Sequence, residues 1–199
     1  MPTTIREAFE AASLRREGVV RWCEDLPTSA SGVDLLSLSR SLNTYDGKLV
    51  TAPLAIAEFG NWLKACPRLT LDGVRPTAQD LMKRVAQFWH PDEVILYMGL
   101  AKSLSRRLGQ YYRTPVGARR PHSGGFFLKL LSDLDHLWVH YALCPNPMLA
   151  EDRMLRRFCN NVSDESKDAL FDPKHPFPFA NLEWPRNVRK VHRLRGARN

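Results

Sequence analysis

Tyr97, Arg107 and Glu151 are the side chains whose types and spacing best suit chemistry on a phosphate. A guanidinium presents paired donors to phosphate oxygens, a carboxylate holds a hard cation, and a phenol hydrogen-bonds water or phosphate. The tyrosine follows the apolar run Val94 to Leu96 and precedes the arginine by ten residues, so a buried strand ending at the tyrosine should lead to a helix carrying the arginine. Gly99 is expected to turn the backbone tightly after Tyr97. Leu104, Leu108 and Tyr111 recur at helical spacing, which puts Arg107 and Tyr111 on one face and Arg106 on another. Ser103 can cap this helix, and Thr114, before Pro115, ends it. Each residue also has a plainer role: Tyr97 as a core tyrosine at a strand end, Arg107 as a simple solvent or phosphate contact.

Glu151 precedes Met154, Leu155 and Phe158 at i+3, i+4 and i+7 and so lies on an apolar stripe. A carboxylate on such a face either binds a metal or complements the macrodipole in the first helical turn. Asp152 should simply be exposed. His122, in Pro-His-Ser-Gly-Gly after a basic loop, suits proton transfer or a hydrogen bond to phosphate, and equally a loop cap. His136 and His140 share a strand face with Trp138, a pattern that speaks against a metal site.

These segments resemble the GIY-YIG nuclease superfamily over roughly residues 30 to 185. Tyr97-Met98-Gly99 is similar to the second half of the signature, and Lys-Ser-Leu-Ser-Arg-Arg-Leu-Gly-Gln-Tyr-Tyr is similar to the family's arginine helix. Gly32-Val33-Asp34 stands where the first half would be, with Asp34 in place of the family's tyrosine. Leu100 stands where a lysine usually follows the second glycine, and Lys102 lies two residues on. Asp34 and Tyr97 are 63 positions apart, which makes residues 40–92 an insertion between the motifs. Closing a longer loop costs only about 0.6 kcal/mol per doubling of its length. Glu151 resembles the family's metal-binding glutamate.

The resemblance implies a small mixed, mainly antiparallel central sheet flanked by helices, in the α/β (α+β) class, with one domain over 1–199. It also implies a divalent-metal-dependent endonuclease that hydrolyses DNA phosphodiesters with Mg²⁺ or Mn²⁺ on Glu151. Arg107 would stabilise transition-state charge, and Tyr97, with His122 or Asp34, would orient or deprotonate water. Asp34 equally suits a chain that keeps the nuclease fold and binds nucleic acid without cutting it. A third reading is a protein-interaction domain built on the insertion.

Charge is distributed unevenly. Residues 1–100 hold 11 Lys+Arg against 12 Asp+Glu, whereas residues 101–199 hold 18 against 9, so the formal net charge of +8 comes from the second half. Five arginines lie between 106 and 120, and residues 185–199 carry six Lys+Arg and no acid, a basic C-terminal tail. Such concentration suits a polyanion. Lys102, Arg106, Tyr111, Arg113, Arg119 and Arg120 are the candidate nucleic-acid contacts; the alternative is a merely solvated basic face. Cysteines 23, 66, 144 and 159 show no Cys-x-x-Cys spacing, which indicates reduced thiols. No apolar run approaches a membrane span and the first residues lack a signal-peptide core, so a cytoplasmic location is expected.

The remaining elements follow from periodicity. Thr4 and Glu7 are spaced as a capping box for an amphipathic helix over 4–17. Strands are expected at 32–38 and 137–143. A helical hairpin should span about Pro53 to Ala65 and Thr77 to Phe88, joined by turn chemistry with a short strand at most. A helix should begin near Phe126, and another should run from Pro147 to about Asn160. The proline-containing remainder reads as irregular.

Overall fold

The computed structural model describes residues 3–4, 34–39, 51–91, 93–101, 104–118, 125–132, 134, 137–143 and 146–198. In chain order the elements are β1 (Thr3–Thr4), β2 (Asp34–Ser39), α1 (Ile56–Ala65), β3 (Thr70–Leu71), α2 (Ala78–Ala86), β4 (Ile95–Ala101), α3 (Leu104–Arg113), a 3-10 helix (Phe126–Leu130), β5 (Trp138–Leu143), α4 (Pro147–Asn161), α5 (Asp164–Asp168) and β6 (Leu194–Arg195). The fold is mixed helix and strand. A four-stranded sheet runs in the order β1-β5-β2-β4, and β3 pairs with β6. The expected sheet was mixed; every described pairing is antiparallel. Among the described residues no helix is long and apolar enough to cross a membrane.

The helical hairpin forms because both helices carry a one-sided apolar stripe. Phe59 and Trp62 of α1 and Leu81 and Val85 of α2 are buried, and they join Phe88, Leu96, Phe127, Val139 and Phe179 in the main core. Thr77 and Asp80 close a reciprocal capping box on α2: Thr77 Oγ1 accepts from Asp80 N at 3.2 Å, and Asp80 Oδ2 accepts from Thr77 N at 3.0 Å. Those bonds hold the Asp80 carboxyl below its ordinary pKa. Asn146 caps α4 through Leu149 N, with Pro147 in the first turn. Leu155 and Phe158 of α4 then pack with Met98 and Val162 in a second core.

Several expectations need correction. Tyr97 is not at a strand end and Gly99 is not a turn: Tyr97 pairs with Leu38 and Gly99 with Leu36 inside a strand that continues to Ala101. Gly99 is needed for a different reason, because a Cβ there would lie 2.6 Å from the Tyr97 hydroxyl. Residues two apart share one face of a strand, so the missing side chain leaves room for the phenol. Thr4, expected to open a helix, is a strand residue opposite Trp138, and residues 5–17 lie outside the described residues. The segment beginning at Phe126 is 3-10 rather than α-helical, and the residue before it, Gly125, adopts a positive φ of 63°. Within the segment expected as irregular, residues 164–168 form α5 and residues 194–195 form β6.

The basic segment 185–198 is not a free tail. β6 pairs with β3, Trp62 Nε1 donates to Ala197 O at 2.8 Å, and Gly196, at φ +62°, sits where a Cβ would approach Arg68 O to 2.5 Å. Leu194 is buried, and so is Lys190, whose ammonium donates to Pro178 O at 2.8 Å and Phe179 O at 3.2 Å. Apolar residues interleaved with the charges give this segment a face to bury. Arg186, Arg189, Arg193 and Arg195 stay exposed.

Candidate functional site

The site grows from the open edge of β4. An edge strand presents unpaired backbone groups that must find partners. Ala180 N donates to Leu96 O at 2.9 Å, and the Asn181 amide spans Met98, accepting from its N at 2.9 Å and donating to its O at 2.8 Å. The segment around Pro178 to Leu182 therefore seals the edge and stands beside Tyr97. On the chain's path out of β4, α3 brings Arg107 back toward the strand, where its Nη2 donates to Leu100 O at 3.3 Å. Arg107 is half-buried and Arg106 exposed, the opposite facing expected from helical phase. From the other direction α4 delivers Glu151, half-buried one turn before Leu155.

Tyr97, Arg107 and Glu151 lie within electrostatic range of one another. Burial raises the Tyr97 phenol above its ordinary pKa, with Arg107 opposing and Glu151 adding to the rise. Burial likewise raises the Glu151 carboxyl, with Arg107 opposing and Asp152 reinforcing. Neither the phenol nor the carboxylate is held by a hydrogen bond among the described residues. A half-buried carboxylate without a donor is uncommon, and it favours a site that completes itself with a ligand over the macrodipole role. Asp152, beside it, is taken up by Arg156 at 3.2 Å and is only partly exposed.

Tyr97 and Glu151 line a cleft of about 280 Å³, together with Asn181, Glu183, His192 and Arg198. This is at the small end for ligand pockets, which run roughly 300–1,000 Å³. It accommodates one phosphate group of a larger polymer rather than a bulky ligand. Glu183 is committed to Arg189 at 2.8 Å and to Asn187 N at 3.0 Å, bonds that hold its carboxyl below the usual range.

Asp34 pairs with Ala101 and Leu143, on the same sheet face as Tyr97 and Gly99. It lies four residues along β2 from Leu38, the partner of Tyr97, roughly 13 Å at the rise of a strand. Tyr111 is in α3, one turn beyond Arg107, and Arg113 is exposed with its guanidinium folded against Gly109. His140 is in β5. Lys102, Arg119, Arg120, His122 and His136 lie outside the described residues, as do Cys23 and Cys144. Cys66 and Cys159 are free thiols. Sequence reasoning missed Asn181, His192 and Arg198. No spacing rule marks them, since their place depends on where the C-terminal segment crosses the sheet edge.

Comparison of the chain with family models, with curated proteins and with solved structures finds no match.

Proposed function

We propose that this chain is a divalent-metal-dependent endonuclease acting on DNA phosphodiesters in the manner of the GIY-YIG nucleases. One observation carries the reading: β4, α3 and α4 converge so that a phenol, a guanidinium and a half-buried carboxylate without a hydrogen-bond partner share one small cleft. The basic excess of the second half of the sequence supports a polyanionic substrate.

No group of three or more His, Cys, Asp or Glu side chains is assembled among the described residues. A single carboxylate nevertheless fits a Mg²⁺ that keeps several waters and takes further oxygens from substrate phosphate. Glu151 would hold the ion, and bound there it would neutralise charge on the phosphate and the leaving oxygen. Arg107 stabilises negative charge developing on the scissile phosphate. Tyr97, with its pKa raised, stays protonated near neutral pH and orients water or phosphate as a neutral phenol. Deprotonation of the attacking water then falls to His122 or Asp34.

The second reading is a nucleic-acid-binding protein that keeps this arrangement without turnover. It is favoured by Asp34, a carboxylate where the family has a phenol and a further negative charge on the face that carries Tyr97. Nicking of supercoiled plasmid with Mg²⁺ or Mn²⁺, set beside DNA binding in Ca²⁺, separates the two. Nicking that disappears in Glu151→Ala supports the nuclease. Salt-sensitive binding with no nicking supports the binding protein.

A further inference from the structure

The wall of the cleft facing Tyr97 and Glu151 comes from the C-terminal segment and has the opposite electrostatic character. His192 and Arg198 line both this cleft and an adjoining one of about 430 Å³. The tautomer of His192 follows from its hydrogen bond: Nδ1 accepts from Leu194 N at 3.1 Å, so the ring proton resides on Nε2. Nε2 has no hydrogen-bond partner among the described residues. Arg198 is half-buried, with its guanidinium 5.9 Å from the centre of the Phe126 ring, which limits its sweep.

The surroundings of His192 are cationic. Burial lowers its pKa to about 4, and Arg198, Lys190, Arg189 and Arg84 lower it further. Three of these cations have partners: Arg189 binds Glu183, Arg84 binds Asp72 at 2.9 Å, and Lys190 donates to Pro178 O and Phe179 O. Glu183 and the more distant Asp72 are the carboxylates these contacts bring in. An anion in the cleft would relieve the remaining positive potential and meet an N–H donor and a guanidinium together.

We propose that His192 and Arg198 form a phosphate-binding subsite opposite Tyr97 and Glu151, which holds a backbone phosphate of the nucleic-acid strand. The assignment rests on the nuclease reading for its ligand, but phosphate binding itself does not require turnover. A neutral imidazole donor suits this position, because it binds a phosphate oxygen without having to take up a proton.

Inorganic phosphate is the probe. Titrated into the full chain, it should shift the His192 ring resonances and raise the His192 pKa, since a bound anion offsets the cations that depress it. Arg198→Gln and His192→Phe should each weaken phosphate binding about tenfold or more, the loss expected for one charge-assisted contact. Arg198→Lys should retain most of it, and thermal melts identify any variant that fails to fold. Glu151→Gln should bind phosphate at least as well as the wild type. In plasmid nicking, Arg198→Gln should raise KM with kcat little changed. Equal phosphate binding by the wild type and Arg198→Gln, or none by the wild type, overturns the subsite. Phosphate binding lost in Arg198→Gln while no variant nicks DNA upholds the subsite and rejects the nuclease reading.

Discussion

Asn181 holds Met98 by both backbone groups: its Oδ1 accepts from Met98 N at 2.9 Å and its Nδ2 donates to Met98 O at 2.8 Å. A side-chain amide thereby substitutes for a neighbouring strand at the edge of the sheet. It also fixes the position of the C-terminal segment beside Tyr97. Both residues are buried, so truncating the amide leaves a donor and an acceptor unsatisfied. Asn181→Ala should destabilise the fold by about 2–4 kcal/mol, the cost of two orphaned buried polar groups. Urea denaturation measures this, and a loss under about 1 kcal/mol would mean that water reaches the edge.

Gly99 makes the second prediction. A methyl at this position would meet the Tyr97 hydroxyl at 2.6 Å, so Gly99→Ala must displace the phenol. If Tyr97 orients the reacting groups, Gly99→Ala should lower kcat for nicking by about 10²-fold, as expected for a misplaced catalytic group. Tyr97→Phe, which keeps the ring and removes the hydroxyl, should reduce it comparably. Full activity in both variants would remove Tyr97 from the mechanism.

Glu151 exchanges stability for chemistry. Its folded pKa is raised above the ordinary 4.5, so ionisation costs stability at neutral pH, and that cost vanishes once the carboxyl is protonated in both states. Glu151→Gln should therefore melt higher than the wild type near neutral pH, with the difference closing as the pH falls toward 4.5. The same variant should lose metal-dependent nicking. A lower melting temperature at neutral pH would show that the carboxylate has a stabilising partner in solution.

His90 sets an acid limit on stability. Its Nε2 lies 2.8 Å from Phe177 O, Nδ1 is buried without a partner, and burial, with Lys190, lowers its pKa to about 4 from an ordinary 6.5. Between these values the unfolded chain binds a proton that the native state refuses, so stability falls as the pH drops through that window. The loss is on the order of 3 kcal/mol. His90→Gln should flatten this part of a stability-versus-pH curve; an unchanged slope would exclude His90 as its source.

The sequence alone determined the faces of the elements. Spacing placed Leu81 and Val85 inward on α2, Arg107 inward and Arg106 outward on α3, and Glu151 on the buried stripe of α4, and the structure has each of them so. Local periodicity can do this because a helix or strand repeats its facing every few residues whatever it packs against. The strand through Tyr97 was visible, but its end was misplaced: Gly99 signals a turn only if nothing folds over it, and here the Tyr97 ring does. What tertiary structure decided is non-local. β2 lies between β4 and β5, the edge of β4 is closed by Asn181, and a segment rich in positive charge buries Lys190 while bringing His192 and Arg198 to the cleft. None of these follows from spacing, because an edge strand's unpaired groups can be satisfied by any segment the chain later carries past them.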